Sequence, residues 1–174
     1  MIIGLTGAAG CGKDTVANIL ARRGFESLAF ADPIYKAVAA ITGLSQEELR
    51  DRSRKETPIP WLGKSPRELL QTLGTEWGRD MVRQDIWIRV AMQQASAIAR
   101  CCITDVRFEN EAAAIKTAGG RVWRIVRPES CLTDQAAKHS SEAGIPNRLV
   151  DLVVQNNSTI EALVARVEAA FVIK

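Results

Sequence analysis

Apolar residues recur along the first quarter of the chain with two spacings, one typical of strands and one typical of helices. A short apolar run at 2–6 predicts a buried strand, and the apolar residues within 16–20 recur at helical spacing. Alternation within 25–30 predicts a second strand, and Pro33 then starts a helix that stops at Gly43. The chain is therefore predicted to open as strand, glycine-rich loop, helix, strand and helix.

The middle of the chain is first polar and then helical in pattern. The stretch 45–63 is polar, contains two prolines, and is predicted to leave the core rather than join a sheet. A helix is expected from Ser65 to about Gly78, with Ser65 as its cap and Pro66 in its first turn. A further helix is expected from about 84 to 99. This part of the chain is thus predicted to be mainly helical.

Strands and helices alternate again in the last part of the chain. An apolar run closes on Asp105, and further strands are predicted at 121–126 and 149–156, with a helix between the first two of these runs. The last helix is expected to begin with Ser158 and Glu161 in capping-box spacing. Strands that alternate with helices argue for a mostly parallel α/β sheet with helices on both faces.

Length and composition favour one well-buried core. The chain has 174 residues, 47% of them hydrophobic, so we expect residues 1–174 to form a single domain with insertions. No run approaches the roughly 18 apolar residues that a membrane span requires. The first residues also lack a basic region followed by a long apolar segment. We therefore expect a soluble, unexported protein without a membrane partner.

Charge and cysteine usage exclude several classes of function. The net charge is only +3, and the cluster of charges at 50–56 mixes both signs, so we expect no nucleic-acid partner. The four cysteines form no CxxC pair, and His139 is the only histidine, which argues against a zinc site and a disulfide framework. A reducing, cytoplasmic environment fits this composition best.

A glycine-rich stretch near the start carries the strongest functional signal. The sequence GAAGCGKDT, at 7–15, satisfies the GxxxxGK pattern of a phosphate-binding loop and lies between a predicted strand and a predicted helix. Small residues let backbone N–H groups turn toward phosphate oxygens, and the helix N-terminus adds positive potential. Lys13 is then placed to reach the β- and γ-phosphates of ATP. The predicted nucleotide-binding residues are Gly7, Gly10, Cys11, Gly12, Lys13, Asp14 and Thr15.

Asp14 stands where such a loop ordinarily carries a hydroxyl that coordinates magnesium. One interpretation is that its carboxylate holds Mg²⁺ directly or through water, since magnesium takes oxygen ligands. The other is that Asp14 is a helix-start acid favoured by the helix dipole. A negative charge beside a triphosphate is favourable chiefly when a divalent cation lies between them. Thr15 is a candidate to hydrogen-bond the α-phosphate.

A second acid, Asp105, is predicted at the carboxyl end of an apolar strand. Ligands of open α/β sheets gather at that edge, so Asp105 is placed to orient magnesium-bound water in the manner of a Walker B acid. A turn-forming aspartate is the alternative. Arg107 is a candidate catalytic cation directed at phosphate, with a surface arginine as the alternative. The predicted metal site therefore consists of Asp14 and Asp105.

Several segments, in their order along nearly the whole chain, resemble the bacteriophage-type deoxynucleoside monophosphate kinases, a branch of the P-loop nucleotide kinases. These segments are GCGKDT, FADPIYKAV, SPRELLQTLGTEWGRD, DIWI, ITDVRFENEA, HSSEAGIP and VVQNNSTIEAL. The resemblance implies magnesium-dependent transfer of the γ-phosphoryl group of ATP to a deoxynucleoside monophosphate. It also implies a three-layer α/β fold with a mostly parallel five-stranded sheet, an acceptor-binding region at about 32–98 and a lid at about 127–145. A phage-encoded chain of this kind would act in the host cytoplasm.

The resemblance also implies that arginines hold the acceptor. Arg67 and Arg79 lie in the matching block and are candidates for its phosphate, because a guanidinium is a planar, bidentate donor. Each is equally well interpreted as a solvated helix residue. Asp32 and Lys36 match the acceptor side of the family, although a helix cap explains Asp32 as well.

Two tryptophans and the lid complete the predicted site. Trp77 and Trp87 have faces that suit a nucleobase, but core packing on an apolar helical face is the favoured interpretation of both. Trp77 is kept as a substrate-binding candidate. In the lid, Arg127 is the first choice as a catalytic cation, ahead of Arg124 and Lys138. Lid closure would exclude water and limit wasteful hydrolysis of ATP.

Two other functions remain open at this point. Dephospho-coenzyme A kinases share a short P-loop core and an AD segment after the second strand, but the SPRELLQTLGTEWGRD block argues against this alternative. A switch or assembly factor that binds ATP without an acceptor would need a partner surface, for which the chain has few spare residues. The sequence leaves open whether the chain forms a homodimer.

Overall fold

The computed structural model of the chain describes residues 1–51, 53–127 and 145–171. The chain divides into two compact units, of which the first is Met1–Ala29 with Met92–Lys174 and the second is Phe30–Ala91. Most of the predicted lid, including Lys138, lies outside the described residues. The single domain with insertions stays a prediction.

The first unit is built on a five-stranded sheet with the strand order β2-β3-β1-β4-β5. All four strand pairs are parallel, and β1, which leads into the glycine-rich loop, lies between β3 and β4. This confirms the predicted parallel α/β fold. The strands are β1 (Ile2–Thr6), β2 (Glu26–Leu28), β3 (Cys101–Ile103), β4 (Arg121–Val126) and β5 (Leu152–Gln155).

Helices follow the strands, as the alternating pattern predicts. None of the helices in the described parts of the chain is long and apolar enough to cross a membrane. The helices are α1 (Lys13–Ala21), α2 (Asp32–Thr42), α3 (Gln46–Arg50), α4 (Pro66–Gln71), a π-helix (Thr72–Val82), α5 (Ile86–Ser96), α6 (Glu109–Thr117), a short 3₁₀ helix (Asn147–Leu149) and α7 (Ile160–Ala169).

The two faces of β1 are covered by different helices. Ile3 and Leu5 are fully buried in a core that also contains residues of α1 and α7. Gly4 points to the other face, where an added Cβ would lie 2.5 Å from Cδ1 of Ile115 on α6. Side chains of a strand alternate between faces, so this arrangement confirms a sheet covered on both sides.

One capping prediction in the first unit is wrong. The side chain of Thr159, not that of Ser158, accepts the N–H of Ala162 at the start of α7. The backbone is extended at Thr159 and becomes helical at Ile160, so the hydroxyl one residue later than predicted is the one that reaches the first turn.

The second unit is helical in its described residues, and the polar stretch 45–63 contributes to no strand there. Ser45 caps α3 and Ser65 caps α4, in each case with a glutamate three residues later that completes a capping box. The hydrogen bond from the Ser65 N–H is the main reason that the pKa of the Glu68 carboxyl lies below its usual range. The predicted cap at Ser65 is thereby confirmed.

The helix that starts at Pro66 extends beyond the predicted end at Gly78, because it continues as a π-helix to Val82. Trp87 packs against this π-helix: a Cβ at Gly78 would lie within 2.5 Å of the Trp87 indole. The indole Nε1–H also donates to the Gly74 carbonyl at 2.7 Å. Gly74 and Gly78 therefore leave room for the side chains of Ile34 and Trp87, respectively. Neither glycine ends the helix.

Candidate functional site

The glycine-rich loop joins the end of β1 to the start of α1, in the first unit. Three of its glycines have positive φ, with values of 141° at Gly7, 75° at Gly10 and 101° at Gly12. Gly12 immediately precedes α1, and Cys11 N donates back to the Ala8 carbonyl at 3.2 Å. The loop therefore curls in a left-handed conformation that side chains disfavour.

The glycines differ in what surrounds them. An added Cβ at Gly7 would collide with the Ile125 carbonyl, and one at Gly12 would collide with Nδ2 of Asn156. Nothing lies within 4 Å of such an atom at Gly10. Close packing against a backbone atom and the backbone conformation thus both require glycine at Gly7. At Gly12 a Cβ would displace the end of the Asn156 side chain, and at Gly10 only the conformation favours glycine.

Lys13 is the first residue of α1 and lies over the loop. Its Nζ donates to the carbonyls of Gly7 and Ala8 at 2.7 and 2.9 Å, and lies 3.9 Å from Sγ of Cys11. The first backbone N–H groups of α1 have no partner within the helix. The ammonium group and the helix N-terminus therefore concentrate positive potential at one place, which is favourable for an anion.

Asp14 and Thr15 follow in the first turn of α1. The Asp14 carboxylate is exposed, and Thr15 is partly buried. An acid in this turn is favoured by the helix dipole whatever else it does. Its exposure also leaves the carboxylate accessible to a cation, so both interpretations of Asp14 agree with its position.

Asp105 follows β3 beside the strand that leads into the loop. The strand ends at Ile103, and Thr104 N then donates to the Leu28 carbonyl at 2.9 Å. Val106 N donates to the Leu5 carbonyl at 3.2 Å, which continues the pairing toward β1. Asp105, between these two bonds, lies at the carboxyl edge of the sheet, next to the strand from which the loop begins.

A buried carboxylate holds the turn that carries Arg107. Glu111, on α6, is only 2% exposed and accepts the backbone N–H groups of Arg107 and Phe108 at 2.8 and 3.1 Å. The side chain of Arg107 is exposed. The sequence interpretation missed Glu111, because Phe108 has no side-chain oxygen and the segment therefore lacks the Ser/Thr-x-x-Glu pattern of a capping box.

The last strand also contributes a residue that the sequence interpretation missed. Asn156 follows β5, and its Nδ2 donates to the carbonyl of Cys11, in the loop, at 2.8 Å. These two residues are 145 positions apart, so no local pattern indicates the contact. Only the strand order brings them together.

The lid candidates lie at the edge of the described residues. Arg127 follows β4 directly, and its side chain is exposed. The Arg124 guanidinium donates to Oδ1 of Asn147 and to the carbonyl of Ile145. Arg124 therefore helps to hold the segment that contains Ile145 and Asn147.

The acceptor candidates of the second unit are tied mainly to other charged groups. Asp32 accepts a hydrogen bond from Arg50 at 2.7 Å, and Lys36 is exposed on α2. Arg67 pairs with Glu56 at 2.6 Å and is exposed in the first turn of α4, as the alternative interpretation of a solvated helix residue expects. Arg79 is partly buried on the π-helix.

The core-packing interpretation is confirmed for Trp87 and is wrong for Trp77. Trp87 is 6% exposed, whereas Trp77 is 44% exposed, with its ring centroid 6.3 Å from that of Trp87. The prediction assumed about 3.6 residues per turn. The π-helix has more residues per turn, so Trp77 is rotated away from the face that α-helical spacing predicts. Its ring lies at the surface.

Two carboxylates, Asp14 and Asp105, are the oxygen donors that suit a magnesium ion at this edge of the sheet. Among the described residues there is no group of three or more His, Cys, Asp and Glu side chains placed to hold a metal. Magnesium usually retains several waters and is bound through one or two carboxylates together with substrate phosphates. The magnesium site at Asp14 and Asp105 stays a prediction.

Comparison with known proteins identifies a family and relatives that this chain resembles. The sequence profile of the deoxynucleotide monophosphate kinase family matches residues 61–167. A protein of Acanthamoeba polyphaga mimivirus, provisionally named a deoxynucleotide monophosphate kinase, is 36% identical over 96% of this chain and 94% of its own. The deoxynucleoside-5'-monophosphate kinase of Escherichia phage T5 is 26% identical, over 86% of this chain and 87% of its own.

Solved structures agree on the fold. A dephospho-CoA kinase from Campylobacter jejuni superposes with a TM-score of 0.54, covering 98% of this chain and 94% of its own. Its sequence identity is 17%, so this likeness concerns the architecture of the sheet and helices alone.

Proposed function

Because the chain belongs to the deoxynucleotide monophosphate kinase family, we propose that it transfers the γ-phosphoryl group of ATP to a deoxynucleoside monophosphate in a magnesium-dependent reaction. The product of this step is the deoxynucleoside diphosphate. The observation that supports the donor side best is the left-handed loop between β1 and α1, with the Lys13 ammonium over its carbonyls.

Phosphoryl transfer needs alignment of donor and acceptor and compensation of charge, and little covalent chemistry. In the proposal, the loop N–H groups and the N-terminus of α1 bind the polyphosphate through its oxygens. Lys13 compensates charge on the β- and γ-phosphates, and Thr15 binds the α-phosphate. The binding residues of the loop are Gly7, Gly10, Cys11, Gly12, Lys13, Asp14 and Thr15.

When bound, magnesium neutralises charge on the triphosphate. We assign Asp14 and Asp105 to the magnesium site, directly or through water, on the basis of their oxygen donors and their places at the loop and at the sheet edge. Arg107 and Arg127 are proposed to stabilise charge on the transferring group. Both side chains are exposed in the first unit.

The acceptor is assigned to the second unit. Arg67 and Arg79 are proposed to bind its phosphate, because a guanidinium matches phosphate oxygens with two parallel donors. Asp32 and Lys36 are proposed to bind further polar groups of the acceptor. Trp77, whose ring is exposed, offers a face on which the base can stack.

The experiment that tests this function measures ATP consumption and product formation with a panel of acceptors. The panel contains dAMP, dCMP, dGMP and dTMP, their ribonucleotide analogues, and dephospho-coenzyme A, the acceptor of the alternative kinase. We expect a deoxynucleoside diphosphate to form from at least one deoxynucleotide. Turnover with dephospho-coenzyme A and with none of the nucleotides would contradict the proposal.

A further inference from the structure

The side chain of Asn156 binds a backbone carbonyl of the glycine-rich loop. Its Nδ2 donates to the Cys11 carbonyl at 2.8 Å, in a partly buried position. Its own backbone N–H donates to the Val126 carbonyl at 2.7 Å, which continues the pairing of β4 and β5 by one residue. Asn156 is therefore fixed to the sheet by its backbone and to the loop by its side chain.

The turn that carries Asn156 is also held from its other side. Arg166, on α7, donates to the Gln155 carbonyl and, at 2.8 Å, to Oδ1 of Asn157. These bonds fix the residues immediately before and after Asn156. The amide of Asn156 thus projects to the loop from a segment tied to both the sheet and α7.

The contact fixes the orientation of one peptide group of the loop. A trans peptide is planar, and its C=O and N–H point in opposite directions. The carbonyl of Cys11 belongs to the same peptide as the N–H of Gly12. Since Asn156 binds that carbonyl, the Gly12 N–H points away from Asn156.

Two further carbonyls of the loop also accept hydrogen bonds from a side chain. Lys13 Nζ binds the carbonyls of Gly7 and Ala8. The N–H groups of the same two peptides, those of Ala8 and Ala9, therefore point away from the Lys13 ammonium. Gly12 fits this arrangement closely, because any Cβ at that position would collide with Nδ2 of Asn156.

We propose that Asn156 is a positioning residue for the donor nucleotide, which orients the Cys11–Gly12 peptide so that the Gly12 N–H binds a phosphate oxygen of ATP. This inference rests on the proposed function, because it takes the loop to be the ATP site. Asn156 acts through the loop backbone.

Three substitutions separate this role from a general structural one. Asn156→Ala removes the donor and leaves the Cys11 carbonyl without its partner. Asn156→Asp keeps the shape of the side chain but places an acceptor against the carbonyl and a negative charge near the polyphosphate. Asn110→Ala is the control, since Asn110 is an exposed residue of the same type on α6 of the first unit.

The test measures the Kd of ATP by titration calorimetry without an acceptor, and then the KM of each substrate. We expect Asn156→Ala to raise the Kd and KM of ATP about tenfold, which corresponds to the loss of one hydrogen bond that orients a donor to a charged group. Asn156→Asp raises them further, and Asn110→Ala leaves them unchanged. The KM of the deoxynucleotide stays the same in all variants.

An Asn156→Ala variant with a lower melting temperature but an unchanged Kd for ATP would overturn the inference, because a merely structural residue behaves in this way. If that variant does not fold, the isosteric Asn156→Asp variant decides by the same readout. Wild-type protein that binds no ATP would overturn the proposed function and the inference together. Wild-type binding with equal binding by both Asn156 variants would overturn the inference alone.

Discussion

The two units carry their candidate residues in different ways. In the first unit, the phosphate loop is made by backbone: glycines with positive φ, a helix N-terminus and carbonyls tied to Lys13 and Asn156. In the second unit, Asp32 and Arg67 stand on helices and are paired with charged side chains. A backbone site is rigid and has a local sequence pattern. A site of exposed charged side chains has no such pattern.

The difference also affects how each ligand would bind. The loop presents its donors already oriented, so little conformational freedom is lost when a polyphosphate binds. If Arg67 binds the acceptor phosphate, as proposed, it must first release Glu56. Exposed ion pairs contribute only about 0–1 kcal/mol, so a phosphate with two negative charges displaces a single carboxylate at little cost. The ion pair of Arg67 with Glu56 therefore leaves the guanidinium accessible to a ligand.

The largest effect is expected from Lys13→Met. This change removes the cation over the loop, and we expect kcat/KM to fall by about a hundredfold or more, since preorganised charge stabilisation is worth that much at a reacting group. Steady-state kinetics at saturating deoxynucleotide measure it. Lys64→Met is the control, because Lys64 is an exposed lysine paired with Glu68 in the second unit. Similar kinetics for both variants would remove Lys13 from the donor site.

Next in size is Arg67→Ala. If Arg67 binds the acceptor phosphate, the KM of the deoxynucleotide rises about tenfold or more, as expected for a lost hydrogen bond to a charged group. The KM of ATP stays unchanged. Glu56→Ala removes the partner and keeps the guanidinium, so it leaves the KM of the deoxynucleotide the same or lower. Equal, small changes in the two variants would show that Arg67 is only half of a surface ion pair.

Asp14→Asn separates the two interpretations of Asp14. If its carboxylate holds magnesium, the concentration of Mg²⁺ needed for half-maximal activity rises about tenfold, the usual size for a lost group around a metal. Glu161→Gln is the matched control, since Glu161 is also an acid in the first turn of a helix. If Asp14 serves only the helix dipole, both variants lose a little stability and their magnesium titrations match that of the wild type.

A pair of glycine substitutions tests the role of the backbone. Gly24 has a φ of 79°, and nothing lies within 4 Å of an added Cβ, so Gly24→Ala costs about 1–2 kcal/mol for the left-handed conformation alone. Gly12→Ala adds a collision with Asn156 and disturbs the loop. We expect a larger loss of unfolding free energy in urea denaturation and a weaker affinity for ATP. Equal losses in both variants, with unchanged ATP affinity, would contradict the packing at Gly12.

The last effect appears only at alkaline pH and belongs to the first unit. Burial raises the pKa of Cys101 to about 11 and that of Cys102 to about 12, from a usual value of 9.0. Above pH 9 the unfolded thiols lose protons that the folded thiols keep. The unfolded state then binds fewer protons, so the free energy of unfolding falls with pH, by at most roughly 1.4 kcal/mol per pH unit for each thiol.

This fall is expected between pH 9 and about 11, where unfolded thiols are ionised and folded ones are not. Urea denaturation of the wild type and of a Cys101→Ala, Cys102→Ala double variant at pH 8 and pH 10.5 measures it. The variant should have the shallower pH dependence, whatever its stability at pH 8. Parallel curves for the two proteins would show that the thiols ionise equally in both states.

The fold was largely predictable from the sequence because its signals are local. β1 has the predicted bounds, and α2 ends at Gly43 as predicted. The capping box at Ser65 is likewise a pattern over four residues. The conformation of the glycine-rich loop was also predictable, because the spacing of its glycines between a strand and a helix is a local pattern. The parallel sheet follows from the alternation of these elements.

Other features depend on contacts that no local pattern contains. The exposure of Trp77 follows from a π-helix, whose turn differs from the α-helical period assumed for the sequence. The contact of Asn156 with Cys11 depends on the order of strands. Neither the burial of Glu111 nor its contact with the Arg107 turn has a local pattern, because Phe108 cannot complete a capping box. The pairing of Arg67 with Glu56 needed coordinates as well.

The most direct measurement of the central claim follows the phosphoryl group itself. The protein is incubated with magnesium, γ-labelled ATP and the best deoxynucleotide of the acceptor panel, and the labelled products are separated. Direct transfer from donor to acceptor predicts label in the β-phosphate of the deoxynucleoside diphosphate, with none of it passing through free phosphate. If the label were released as inorganic phosphate at the same rate with and without the deoxynucleotide, the account would be contradicted.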